Sequence, residues 1–245
     1  MGKEYLRKRL NELLLRSENR GIYTYSDFLS EQDAAYAKTL SPKAVLFGGA
    51  QENERVIVRF GDGDSIGYEE PFPIRILRIV PVQEKFADEL THRDFLGALM
   101  NLGIERDVLG DILVKGSTAF VFAEEKIADY ITDGLRQVRH TTVRAEEVFE
   151  LPEDMQPHLS EEFINVASSR LDAVVSRVWN LARTKGKDLF AEGKVLVNGV
   201  PVPSGARSLT EGDRVTVRGF GKFIYRGIVK ETKKSREVVR IERYV

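Results

Sequence analysis

Asn198-Gly199, set between Val195 and Val197 on one side and Val200 and Val202 on the other, constrains this chain more than any other pair of residues. A two-residue type I′ turn needs positive φ at both central positions. Asn-Gly between alternating valines supplies it, so this stretch is expected to be a tight hairpin. The apolar side of a hairpin needs cover, and the preceding residues provide it. Leu171, Val174, Val175 and Val178 recur at i, i+3, i+4, i+7, which is one apolar stripe of a helix. Arg170 and Arg177 fall on another face.

A second helix is expected to begin near Thr184 as N-cap and to stop at Gly193 as the C′ glycine. Its entry carries Arg183, Lys185 and Lys187 before Asp188. Cations at a helix N-terminus oppose the macrodipole by roughly 0.3–1 kcal/mol each, while the exposed N–H groups there attract anions. A bound phosphate resolves the conflict; lysines swung into solvent are the plain alternative. Glu211-Gly212-Asp213 turns the chain into the alternating strand Arg214–Arg218, after which Gly219, Gly221 and Lys222 read as flexible and basic.

This order of two short helices and a tight sheet resembles the αL RNA-binding motif, the S-four domain family. The matching residues are Arg170-Leu171-Asp172, Arg183, Leu189, Gly193, Val195, Val197-Asn198-Gly199, Gly212-Asp213 and Val215. In that family the helix pair grips structured RNA, so the resemblance implies contact roles for Arg170, Arg177, Arg183, Lys185 and Lys187. Asn198, Arg218 and Lys222 complete the expected RNA-binding set. One departure is Ala182, where many members carry a Ser before the arginine of the second helix.

Charge divides the chain in the same place. From Ser168 to Val245 there are 17 Lys and Arg against 8 Asp and Glu, a net of +9; of the whole chain's 37 and 38, the first 167 residues therefore hold 20 and 30, a net of −10. A basic nucleic-acid-binding segment on an acidic body has this asymmetry. With no cysteine in 245 residues, disulfides, thiolate zinc sites and a cysteine nucleophile are excluded. His92, His140 and His158 have no metal-ligand spacing, so neither a metal nor a cofactor is expected. No apolar run approaches the roughly 20 residues that span a bilayer, and a cytoplasmic protein is expected.

Taken in order, Lys3–Arg16 reads as an amphipathic helix with Leu6, Leu10, Leu13 and Leu14 on one stripe. Ser26 or Asp27 is the expected cap of a second helix running to about Leu40. Tyr23, Tyr25 and Phe28 can stack bases or, at this spacing, pack the two helices together. Ala44–Phe47 and Arg55–Phe60 read as a hairpin, and Gly61-Asp62-Gly63-Asp64 as a turn that lacks the bidentate Glu of a calcium loop. Pro71 and Pro73 mark a boundary. Beyond it come a strand around Ile74–Ile79, a helix opened by the capping box Thr91–Asp94, strands at Asp111–Val114 and Thr118–Phe122, a helix at Glu125–Leu135 and a strand at Val138–Ala145. This βαββαβ order is the ferredoxin-like arrangement, which includes RRM-type RNA binders. Only Phe120 and Phe122 offer themselves as base-stacking aromatics, without the usual RNP pattern.

The expected fold is α+β: an N-terminal α/β segment over 1–73, an RRM-like unit over 74–150, a linker over 151–167 and the S-four domain over 168–245. This layout, with the run THRDFLGALMNLGIERDVLGDILV (Thr91–Val114) and the opening SSRLDAVVSRVWNLAR (Ser168–Arg183), resembles the YlmH family of bacteria. The resemblance implies a non-catalytic RNA-binding factor on the large ribosomal subunit, with rRNA and tRNA as partners, in rescue of stalled nascent chains. Two alternatives stand beside it. Arg170-Leu171-Asp172 is similar to the Arg-Leu-Asp of pseudouridine synthases, where the Asp is the nucleophile; an N-cap or salt-bridge role is the plainer one. The acidic N-terminal half also offers a surface for a protein partner, in cell division among other settings.

Overall fold

The computed structural model describes residues 3–156, 158–232 and 236–245, apart from the side chains of Lys3, Phe86 and Arg183. The sequence also leads one to expect a turn at Thr232-Lys233-Lys234-Ser235 between strands at Ile224–Val229 and Val238–Tyr244; its residues 233–235, and the expected contact of the Arg183 side chain, lie outside the described residues. Two compact units meet in sequence at Gln156 and Pro157. Helices and strands are mixed in both, which makes the fold α+β.

In the first unit, α1 (Lys3–Arg20) buries Leu10 and Leu13 as its stripe predicts. After β1 (Thr24–Tyr25), helix α2 (Glu31–Leu40) is capped by Ser30, whose hydroxyl accepts from the Asp33 N–H, and not by Ser26 or Asp27. The cause is non-local. The Ser26 N–H donates to the Val58 carbonyl and Leu29 bridges Val56, so the chain stays extended until Ser30. Strands β2 (Val45–Phe47) and β3 (Ile57–Phe60) pair antiparallel, and β1 completes the sheet β1-β3-β2. The turn at residues 61–64 leads into α3 (Gly63–Ile66), one helical turn capped by Asp62, whose carboxylate lies 2.5 Å from Lys43 Nζ.

The sequence then runs β4 (Ile74–Pro81), α4 (His92–Asn101), β5 (Leu109–Lys115), β6 (Thr118–Glu124), α5 (Glu125–Gly134), β7 (Gln137–Val138) and β8 (Thr141–Val148). The capping box at Thr91 and Asp94 is present. The sheet order is β5-β6-β4-β8-β7, antiparallel throughout. Period-2 alternation gives this sheet two apolar faces. Leu77, Ile79, Ala119 and Val121 pack under Phe95 and Leu99 of α4 and Ile131 of α5. On the opposite face, Phe122 packs with Phe28 and Ile57, joined by Ile74, Ile76 and Leu151. For this reason the boundary expected at Pro71–Pro73 does not separate compact units: residues from both sides of it share one core. This packing buries Phe122 completely, so its ring is not presented for base stacking; Phe120, 4% exposed, lies outside that cluster, at the edge of a groove lined by Arg78, Lys115 and Thr118.

The second unit comprises β9 (Leu159–Val166), α6 (Leu171–Val178), α7 (Arg183–Ala191), β10 (Val195–Val197), β11 (Val200–Pro201), β12 (Arg214–Val217), β13 (Gly221–Glu231) and β14 (Glu237–Tyr244). Its sheet has the order β11-β10-β12-β13-β14-β9. The linker expected over 151–167 is therefore corrected. Leu159–Val166 pairs residue for residue with Glu237–Tyr244 and sends Ile164 and Val166 into the core. Gly219 and Gly221 do not form a flexible segment either; residues 218–220 make a tight turn, and Gly221 and Lys222 begin β13. With the division at Pro157, Glu161 and Glu162 join the basic unit, which then carries 17 Lys and Arg against 10 Asp and Glu, a net of +7.

Candidate nucleic-acid interface

Helix α6 buries Leu171, Val174, Val175 and Val178 against Val195, Val197, Val215, Val217 and Phe223. Each such side chain contributes roughly 1.5–3 kcal/mol by leaving water, enough to fix the helix on the sheet. The hairpin forms as its residues require, with φ of +51° at Asn198 and +74° at Gly199 and Val197 opposite Val200.

The two helix N-termini differ. That of α6 is closed: the Leu171 N–H donates to the Arg207 carbonyl at 2.9 Å, the Asp172 N–H to the Gly205 carbonyl at 3.1 Å, and the Ala173 N–H to Asp172 Oδ1 at 2.9 Å. A Cβ at Gly205 would stand 2.5 Å from the Asp172 Cβ, so this close approach requires glycine. Helix α7 starts one residue before the expected Thr184 cap. Ala182 is its N-cap and supplies no side-chain hydrogen bond, and the first turn carries no acid. Gly193, at φ +63°, follows its C-cap as expected.

Ion pairing sorts the cations. Arg170 grips Asp172 with two hydrogen bonds, of 3.0 and 2.6 Å, and this contact holds the Asp172 carboxyl below the usual range. Arg207 pairs with Asp213, Lys194 with Glu192, Arg226 with Glu242, Arg240 with Glu161 and Arg243 with Glu162. Arg177, Lys185, Lys187 and Arg218 are exposed and have no ion-pair partner among the described residues. Two contacts relate these residues to the junction of α6 and α7, while the Arg218 N–H donates to the Lys194 carbonyl beyond the end of α7. Gly186, between Lys185 and Lys187, lies so close to Ser176 that a Cβ would meet its Oγ at 2.9 Å, which places the start of α7 beside Arg177. The Trp179 ring stands 6.2 Å from that of Phe220, which ties the end of α6 to the turn holding Arg218. Lys222, one residue into β13, has its ammonium 5.1 Å from the centre of the Tyr244 ring.

Arg170 and Asn198 are not part of that junction. Arg170 sits at the opposite end of α6, against Ser208. Asn198 lies at the far end of β12 from Arg218, and its amide donates to Asp213 Oδ1 while its carbonyl oxygen accepts the Arg214 N–H. Both polar ends of this side chain are committed to the fold. Trp179 and Phe220, the latter 41% exposed, were missed from sequence. The available signal was that the chain's one Trp follows directly after a helix carrying Arg177.

Among the described residues no group of three or more His, Cys, Asp or Glu could hold a metal, and no helix is long and apolar enough to cross a membrane.

Residues 68–150 match the family described as the putative RNA-binding domain in YlmH. The chain is 32% identical over 164 residues to the ribosome-associated protein quality control protein P2 of Bacillus subtilis (strain 168). That match covers 65% of this chain and 63% of the relative, less than two thirds of its length. The solved structure of the cell division protein ylmH from Streptococcus pneumoniae is 25% identical, with a TM-score of 0.48, over 60% of this chain and 93% of that one. Residues 68–150 are therefore similar to the putative RNA-binding domain of the YlmH family, and the longer stretch shared with the B. subtilis protein is consistent with that likeness.

Proposed function

We propose that this chain is a cytoplasmic, non-catalytic RNA-binding factor of the large ribosomal subunit, acting in quality control of stalled nascent chains. In this reading the second unit is an S-four domain, and the βαββαβ part of the first is an RRM-like scaffold. The observation that carries it is the junction of α6 and α7, where Arg177, Lys185 and Lys187, with no ion-pair partner among the described residues, lie beside a helix N-terminus without a side-chain cap, and Arg218 extends the basic surface along the sheet end. Cations there are unfavourable to the helix dipole until an anion sits among them, and RNA phosphates supply that anion. Trp179 and Phe220 add aromatic surface beside the cations, which suits unpaired bases at the edge of a folded RNA. The name of the B. subtilis relative, a ribosome-associated quality control protein, supports the ribosome as the place of action.

The engagement of Asp172 supports the non-catalytic reading over the modification-enzyme alternative. Asp172 is engaged by Arg170 and by the Ala173 N–H, which is the salt-bridge and capping role of a structural aspartate.

The test is co-sedimentation of the full chain with purified large ribosomal subunits. Arg177→Glu/Lys187→Glu is expected to release the protein at salt concentrations where the parent stays bound. Unchanged sedimentation overturns the proposed basic surface. Mass spectrometry of rRNA and tRNA from a deletion strain tests the non-catalytic part: a modified base that is missing and restored by the protein overturns it.

A further inference from the structure

Residues 68–150 match a family described as RNA-binding, yet around Phe122 the sheet face on which a βαββαβ fold stacks bases is covered. Phe122 lies under Phe28 and Ile57, and Gly49 and Gly110 approach it so closely that a Cβ at either would come within 2.8 Å of its side chain. Leu151 joins that cluster, and the following residues fasten the remaining edge through the ion pair of Lys115 with Asp154. The Phe122 part of this face is therefore closed to bases, and the part still open, beside Phe120, holds the carboxylates of Glu150 and Asp154 along with Arg78 and Lys115.

An open groove of about 590 Å³ lies on the helix side, between α4, the end of α5 and the β7–β8 turn. Three arginines, Arg93, Arg136 and Arg139, line it together with the amides of Asn101 and Gln137. All five residues are exposed. Arg93 has no ion-pair partner among the described residues, and Arg136 spends its guanidinium on the carbonyls of Thr132 and Leu135, which leaves its charge uncompensated. Arg139 lies 3.8 Å from Asp94 Oδ1, whose other oxygen accepts the Thr91 N–H and hydroxyl at 2.8 and 2.7 Å, so one carboxylate faces three arginines in this groove. On a unit whose net charge is −8, from 20 Lys and Arg against 28 Asp and Glu, this is a local positive trough.

Two further features fit an occupant that approaches closely. Gly97 lines the groove, and nothing in the protein lies within 4 Å of where its Cβ would stand, so packing does not require glycine; its effect is an open groove floor. Arg139 has φ +52° at the first position of the two-residue turn between Val138 and Thr141, a left-handed conformation that favours glycine. An arginine held there at a conformational cost points to a use for its side chain.

We infer that this groove is a second RNA-backbone site, in which Arg93, Arg136 and Arg139 take phosphates and the Asn101 amide contacts phosphate or ribose oxygens, while the Gln137 amide braces the turn by donating to the Arg139 carbonyl at 2.8 Å. The inference rests on the RNA-binding reading and assigns a contact face to the first unit.

The absence of cysteine makes the test direct, because Asn101→Cys and Asp188→Cys each give the full chain one attachment point for an iron chelate. Bound to purified large ribosomal subunits, the Asn101 probe is expected to cut rRNA at clustered positions. Arg93→Glu/Arg139→Glu should abolish those cuts, weaken binding about 10-fold or more and reduce the log–log salt slope by about 1.5. Arg139→Gly should weaken binding while raising the melting temperature by about 2–4 °C, a split that a purely structural residue would not give. Cuts from the Asp188 probe with none from Asn101, or an equal loss of affinity in Arg16→Glu/Arg20→Glu on α1, would overturn the groove and leave the C-terminal basic surface standing. Failure of the parent chain to bind the subunits at all would instead overturn the RNA-binding reading.

Discussion

Asn198 and Asp213 hold each other across the hairpin: the Asn198 amide donates to Asp213 Oδ1 at 2.8 Å, while Asp213 Oδ2 accepts from Arg207 Nη2 and the Thr210 N–H, both at 2.9 Å. The carboxylate is buried, so each of these bonds replaces water that cannot reach it. Asp213→Ala would strand Arg207 and the Asn198 amide, and we expect it to destabilise the second unit by about 3 kcal/mol. Trp179, the single tryptophan, lies in this unit, so urea unfolding followed by its fluorescence reads the effect separately from the first unit. A shift below about 1 kcal/mol would show the network to be dispensable.

The buried aromatics of the central sheet give a prediction of opposite kind. Phe122 is fully buried, so Phe122→Ala should open a cavity and cost about 3–5 kcal/mol in the first unit. Far-UV circular dichroism should show this loss, while Trp179 fluorescence should keep the parent midpoint. Phe122→Leu, which keeps most of the volume, should recover most of the stability. RNA affinity that falls in Phe122→Leu with no change in stability would mean that the ring contacts a base after all.

These two sites also mark what the sequence revealed. The Asn198-Gly199 hairpin, the apolar stripe of α6 and the Thr91–Asp94 capping box were legible because each is decided within a few residues by φ preference, helical spacing or a local hydrogen bond. The cap of α2 is not legible because Ser26 is pinned by β3, some thirty residues away, and Leu159–Val166 reads as a linker in sequence because its partner strand is β14. The candidate site shows the same division. All eight expected residues follow from type and position, but across the fold Arg170 is ion-paired and Asn198 hydrogen-bonded, while Arg177, Lys185, Lys187 and Arg218 have no ion-pair partner among the described residues. Which cations are neutralised is a tertiary property, and no spacing rule reports it.

Glu124 links the first unit's stability to pH. It is 7% exposed at the end of β6; Oε2 lies 2.6 Å from Lys126 Nζ, while Oε1 has no hydrogen-bond partner, and burial pushes its carboxyl up to about 7, against the opposing pull of Lys126. The native state therefore holds this proton more tightly than the unfolded chain. Stability should fall as pH rises from about 4.5 to about 7, by a few kcal/mol at most, and show no further change from this group above that. Glu124→Gln should flatten this part of the profile and stabilise the unit at pH 8, measured by urea unfolding with circular dichroism. An unchanged slope would assign the pH dependence to other groups.

Salt provides the most direct measure of the C-terminal basic surface. If Arg177, Lys185, Lys187 and Arg218 each neutralise one phosphate, four counterions' worth of release gives a log–log slope of about −3 to −3.5 from this surface alone. Affinity for large ribosomal subunits should then fall about 50- to 150-fold between 50 and 200 mM monovalent salt. Arg177→Ala and Lys187→Ala should each reduce the slope by about 0.7–0.9, and Arg170→Ala by much less, because Arg170 is already neutralised by Asp172. Equal effects from Arg170 and Arg177 would mean that the Arg170–Asp172 pair opens on binding, and the closed end of α6 would then belong to the interface as well.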